Sequence, residues 1–180
     1  MEPWRDWYHV NGNTYGTWLR GDERGWRARH HREHVIGDYK SPPPKGMYDA
    51  LNARSRSLMT RPEVHLSPRA RRLACETFAH SLEIDGVQAV AICIDDHHFH
   101  TLARFPDHDP RTWIGRAKRR SAKALSDAGL VERGGVWAIR CRCLPVKDRD
   151  HQVAVARYII GHARRGSAVW RSDRASRPRE

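Results

Sequence analysis

A chain of 180 residues is sized for one domain with a sizeable appendage, and 39% hydrophobic residues suffice for an ordinary core even though 30% are charged. Lys and Arg number 33 against 21 Asp and Glu, so the net charge is +12 and the isoelectric point is near 10.3. Such a surplus suits a polyanionic partner, most often nucleic acid, although a basic protein without one is the plainer alternative. No run of about 18 apolar residues is present, which excludes a spanning helix and a membrane partner of that kind. The opening MEPWRDWYHV lacks the apolar centre of a secretory leader.

In chain order, WRDWYHVNGNTYGTWL predicts a strand that enters a turn at NGN. From about residue 20 to 66, Gly, Pro and charge dominate, which reads as an irregular basic arm without a core element. Its HHREH offers two readings: a zinc site through His30, His31 and His34, or basic residues touching DNA, the latter favoured because no cysteine partner is near. Ser67 and Pro68 predict a helix start, and Leu73, Phe78 and Leu82 its apolar stripe. VQAVAICID predicts a buried strand, and HHFHTLARF its hairpin partner across a turn at Asp95 and Asp96. DPRTWIGRAKRRSAKALSDAG predicts a helix stopped by Gly129, GGVWAIRCRCLPV a strand, and RDHQVAVARYIIGHARRG a last helix closed by Gly166. Strand-helix-strand twice over in one sheet predicts an α+β fold. It is a ferredoxin-like antiparallel sheet with helices on one face, plus the extra C-terminal helix. Cys75, Cys93, Cys141 and Cys143 are scattered, as in a reduced cytoplasmic chain. The Cys141-x-Cys143 pair reads as small half-buried residues more readily than as a metal site.

Side chains two apart on a strand point the same way, so His98 and His100 share a face and Phe99 packs on the other. Two imidazoles so placed can chelate one divalent ion, but 12 histidines in one chain also produce H-x-H by chance, on the wet side of a strand. On the last helix Tyr158 and His162 are spaced i and i+4 and share a face, beside a stripe of Val153, Ala156, Ile160 and Ala163. There Tyr158 is either a half-buried packing residue or faces a cleft. Arg111, Arg116, Lys118, Arg119, Arg120 and Lys123 place six cations and no acid in RTWIGRAKRRSAK, suited to tracking phosphates or to a solvated helix face. Trp4, Trp7, Tyr8, Trp18 and Trp26 stand among the first arginines, where aromatics stack on bases or serve the core.

DHHFHTLARF, the basic helix, GVWAIRCRCLPV and VARYIIGHARRG together resemble the single-tyrosine HUH transposases, the enzymes of the smallest insertion sequences and their REP-associated relatives. The resemblance spans most of residues 8 to 170 and is densest from 86 to 166. It implies His98 and His100 as ligands of a divalent metal, Mg or Mn in the family, with His162 as third ligand and Tyr158 as the nucleophile. It departs at Asp96 and His97, where many members carry Pro-Asn, and this leaves His97 either a competitor for the metal or a DNA contact. A phenol, ordinarily protonated up to a pKa of about 10, is a poor nucleophile at neutral pH, so an ion that polarises the scissile phosphate is chemically apt. The implied function is a metal-dependent single-strand DNA endonuclease and strand-transferase that cuts beside a hairpin or palindromic end through a 5′-phosphotyrosine. A homodimer is open, and the expected location is the bacterial cytoplasm at the nucleoid. The implied organisation is one domain over residues 1–170 and a basic tail over 171–180. A structured DNA- or RNA-binding regulator that has lost catalysis is the rival reading. An initiator of replication or conjugation is a third, less suited to this length.

Overall fold

The computed structural model describes residues 4–26 and 43–172; His30, His31 and His34 and most of the C-terminal tail lie outside the described residues. Five strands and four helices follow one another as β1 (Trp7–Asn13), α1 (Asp49–Ser57), α2 (Pro68–Ile84), β2 (Gln88–Ile94), β3 (His98–Arg104), α3 (Pro110–Asp127), β4 (Arg142–Pro145), α4 (Arg149–Gly161) and β5 (Ala168–Arg171), with single 3-10 turns at Pro106–His108 and His162–Arg165. The sheet runs β4-β1-β3-β2-β5 with every neighbour antiparallel. Its first four strands with α2 and α3 are the expected β-α-β-β-α-β unit.

Local chemistry sets the ends of these elements. The Ser67 side chain accepts from the Ala70 N–H and Pro68 opens α2; Asp109 accepts from the Arg111 and Thr112 N–H groups and Pro110 opens α3. Gly129, at φ +65°, turns the chain after α3. The β2–β3 turn closes when the Asp95 N–H donates to the His98 carbonyl at 2.8 Å.

Two elements depart from expectation. Residues 49–57 of the arm form α1, a helix with no buried residue, so apolar periodicity had nothing to reveal. The chain beyond Gly166 continues as β5, which pairs with β2 through Ala168 to Arg171 and extends the ordered fold to the edge of the expected tail. Four residues are too few for alternation to mark a strand.

The sheet separates two layers. Beneath it, α2 and α3 bury Phe78, Leu82, Ile114 and Leu125 against Val10, Ile92, Phe99 and Ala103. Phe99 sits in an aromatic knot, its ring centre 5.2 Å from Phe78 and 5.5 Å from Trp137. Such pairs each add about 0.5–1.5 kcal/mol beyond burial. Gly12, opposite Phe99 in the ladder, is needed there, because a Cβ would stand 2.7 Å from the Phe99 ring. Above the sheet, α4 covers a smaller cluster in which Val155 and Ile159 meet Ala91, Cys93, Leu102 and Val146. The sheet thus presents a dry face to α2 and α3 and a partly polar one to α4.

Candidate metal centre

The period of two along β3 sends Phe99, Thr101 and Ala103 down and His98, His100 and Leu102 up, toward α4. The ladder adds upper-face neighbours, since Asn13 is opposite His98, Asn11 opposite His100 and His9 opposite Leu102. α4 closes the group from above. Its buried residues are Gln152, Val155 and Ile159, followed by buried His162 at its C-terminal end. This corrects the expected stripe by one position: Ile160 is 36% exposed and Ala163 is exposed, so His162 belongs to the inward face instead of lying beside it.

His98, His100 and His162 form a group able to hold one metal ion, with a ligand nitrogen from each lying within 4.8 Å of the others. In His100 and His162 the second ring nitrogen is oriented by a partner, as in ligand histidines. The His162 Nδ1–H donates to the Tyr158 carbonyl at 2.9 Å, leaving Nε2 as the free lone pair. His100 Nδ1 lies 3.0 Å from His9 Nε2, and a proton shared there leaves His100 Nε2 available. His98 Nδ1 is buried without a hydrogen-bond partner, a costly position for a ring nitrogen unless something binds it. The residues present therefore fit a divalent ion. Burial, reinforced by neighbouring imidazoles, pushes His98 down to about 4 and His100 to about 3, so both are neutral at pH 7 as ligands must be. The donors are all imidazole, a set that suits Zn or Ni better than Mg or Mn.

His9 was not legible as a site residue. It is buried, and burial first, then the charges of His151 and Arg142, push it down to about 4. Only the β1–β3 register could have revealed it, because 91 residues separate it from His100. Tyr158 stands over the histidines while remaining 51% exposed. Its ring centre is 4.7 Å from that of His162, 5.2 Å from His100 and 6.2 Å from His9, each in edge-on contact. The Tyr158 ring is thus beside the histidine cluster and half open to solvent.

His97 is not part of the cluster. Its imidazole pairs with the Asp96 carboxylate, and its carbonyl accepts the Thr14 N–H at 2.9 Å, tying the loop after β1 to the hairpin turn. Asp95 and Arg71 brace the same turn, with the guanidinium 3.9 Å from the carboxylate and also donating to the Leu66 carbonyl at 2.9 Å.

The six cations of α3 lie on the layer beneath the sheet, away from the histidines. Lys118 is buried, contrary to its reading as a surface cation. Its Nζ donates to the Ala138 and Arg140 carbonyls at 2.9 and 3.0 Å, so it anchors the segment before β4. Arg120 and Arg116 pair with Asp85 at 2.7 and 3.7 Å, and Lys123 with Asp127 at 2.6 Å. Arg111 and Arg119 are exposed. On the histidine side, exposed Arg157, Arg164 and Arg165 flank Tyr158 in sequence, and exposed Arg142 faces upward opposite Asn11. Of the early aromatics, Trp26 is buried and Trp4, Trp7 and Tyr8 pack against the two cores, while Trp18 is 45% exposed with the Arg24 guanidinium 4.6 Å from its ring.

No family model and no curated protein matches the chain. Among solved structures, a REP-associated tyrosine transposase bound to a REP hairpin is similar in fold, with a TM-score of 0.48 and 12% identity over 89% of this chain and 68% of that one.

Proposed function

We propose that this chain is a metal-dependent DNA-nicking and strand-transfer enzyme that acts on single strands next to a hairpin. The observation that carries the reading is the half-exposed Tyr158 ring held 4.7 Å and 5.2 Å from two members of a three-histidine cluster. Ring packing accounts for the edge-on contacts but does not call for the exposure, whereas a nucleophile needs both an electrophile-activating centre and access to substrate. His98, His100 and His162 would hold a divalent ion, whose contribution when bound is to polarise a non-bridging phosphate oxygen and offset developing charge. The Tyr158 oxygen attacks phosphorus as its proton departs, the P–O3′ bond breaks, and a 3′-hydroxyl leaves. The chain then carries a 5′-phosphotyrosine, and a second 3′-hydroxyl can reverse the step without another energy source. His9 and the Tyr158 carbonyl hold the rings of His100 and His162, so the cluster is pre-oriented. Arg142, Arg157, Arg164 and Arg165 supply the positive field on the side where DNA would enter. Arg111 and Arg119 would contact phosphates only where the nucleic acid reaches round to the α3 layer.

Incubation with end-labelled hairpin single strands and Mn or Mg, followed by a denaturing gel, tests this. The expected result is a protein–DNA adduct and a shortened strand, both absent in Tyr158→Phe. Tight, salt-sensitive binding with no adduct and no metal dependence would instead identify a binding regulator on the same fold.

A further inference from the structure

Cys141 and Cys143 form a second group of reactive side chains, separate from the metal centre. They sit at and just before the start of β4, an edge strand of the sheet, with Cys143 opposite Val10, and both pack against the α2–α3 layer beneath the sheet. Their sulfurs are 3.9 Å apart, and both residues are half-buried, whereas Cys75 and Cys93 are buried. Lys118 is anchored on the Ala138 and Arg140 carbonyls, which holds an ammonium close to the pair. The hydrogen bond between the two sulfurs, with help from the Lys118 and Arg111 charges, pushes the Cys141 thiol down against the effect of burial. The same pairing pushes Cys143 up. One sulfur is thus the better nucleophile and the other a thiol waiting beside it, the division of labour of an attacking and a resolving cysteine.

Chain geometry permits closure. The sulfurs, 3.9 Å apart, must approach to about 2.05 Å. Two residues of extended chain span about 6.6 Å, near the upper end of the range of about 4.4–6.8 Å between disulfide-bonded Cα atoms, so the backbone at Cys141 has to bend to bring the Cβ atoms together. Cys141 precedes Arg142, the first ladder residue of β4, so its backbone can adjust without breaking a pair in the sheet.

We propose that Cys141 and Cys143 are a reversible oxidation site that closes to an intrachain disulfide when the protein meets a hydroperoxide. The Cys141 thiolate attacks the terminal peroxide oxygen, the O–O bond breaks, and with a proton one water leaves, giving a sulfenic acid at Cys141. The Cys143 sulfur attacks that sulfur, the S–OH bond breaks, and the hydroxyl departs with the Cys143 proton as a second water. Two thiols lose two electrons and hydrogen peroxide gains them. Arg142 lies between the two sulfurs in sequence and points to the opposite face beside Asn11, so closure bears on the rim of the histidine face without touching a histidine.

The test is brief exposure of the folded full-length chain to hydrogen peroxide, then alkylation of remaining thiols and mass spectrometry. The chymotryptic peptide from Ala138 to Tyr158, uncut at Leu144 because Pro145 follows, carries both sulfurs and no other cysteine. It is expected to lose the mass of two hydrogens, resist alkylation and recover with dithiothreitol, at least about ten times faster than Cys75 or Cys93 react. In Cys143→Ser, Cys141 is expected to stop at a dimedone-reactive sulfenic acid. The proposal is overturned if Cys141 and Cys143 stay alkylatable as long as the buried pair. Oxidation of Cys141 straight to sulfinic acid with Cys143 still free, or bridging between two chains, overturns it too. None of these outcomes depends on DNA or on a metal, so they are independent of the nuclease reading.

Discussion

The two faces of one sheet have opposite economies. Below, Phe99, Phe78 and Trp137 interlock with no exposed surface larger than the 8% of Trp137, and the layer is stabilised by dispersion and burial. Above, three histidines and His9 occupy positions an apolar core would fill, and their net contribution to stability depends on proton and metal. The same strand serves both: Phe99 fixes β3 from beneath so that His98 and His100 are held rigidly above. The lesson is that the polar face is tolerable because the dry face secures its backbone.

Replacements on the upper face should change chemistry and leave the fold intact. Tyr158→Phe removes only an exposed oxygen and is expected to reduce nicking at least about a thousandfold with an unchanged melting temperature. A melting point that falls by several degrees would mean that the hydroxyl serves packing. His100→Ala is expected to weaken Mn affinity by more than about 100-fold. His9→Ala, which removes only the orienting partner, should cost about 10–100-fold. Calorimetric titration decides this, and equal losses would make His9 a ligand.

Replacements on the lower face should do the reverse. Phe99→Ala is expected to destabilise the chain by about 3–5 kcal/mol in urea unfolding. Metal binding in the fraction still folded should persist, and its loss would show that Phe99 also shapes the site.

Acid distinguishes the faces more gently. His9, His98 and His100 have native values near 4, 4 and 3, below the ordinary 6.5 for imidazole, chiefly through burial. Between those values the unfolded chain binds protons that the native chain refuses, so stability without metal falls as pH drops from about 6.5 toward 4. Thermal melts across that window should steepen this loss in the wild type and flatten it in His100→Phe, with Phe78→Leu leaving the slope alone. A slope that His100→Phe does not alter would place the acid sensitivity elsewhere. The smallest effect concerns the α3 cations. Arg119→Ala is expected to lower the salt dependence of DNA binding by at most about one unit of slope. Lys118→Met should act on stability instead, because Lys118 donates to two carbonyls inside the protein.

Much of this was legible because it is local. The caps at Ser67 and Asp109, the hairpin turn at Asp95 and Asp96, the shared face of His98 and His100, and the i, i+4 relation of Tyr158 and His162 depend on neighbours within a few residues. From their order the ferredoxin-like unit followed. The rest was decided by contacts distant in sequence. α4 carries two overlapping candidate faces, Gln152/Val155/Ile159 and Val153/Ala156/Ile160, and only docking on the sheet chose the first, which turned His162 inward. The β1 register brought His9 to His100, and two carbonyls 20 and 22 residues downstream drew Lys118 inside. β5 became a strand because the edge of β2 offered unpaired backbone groups to satisfy. The sequence by itself determined which elements hold His98, His100, Tyr158 and His162. Tertiary packing alone decided which faces meet, because helix rotation and strand register are set by the burial of surfaces far apart along the chain.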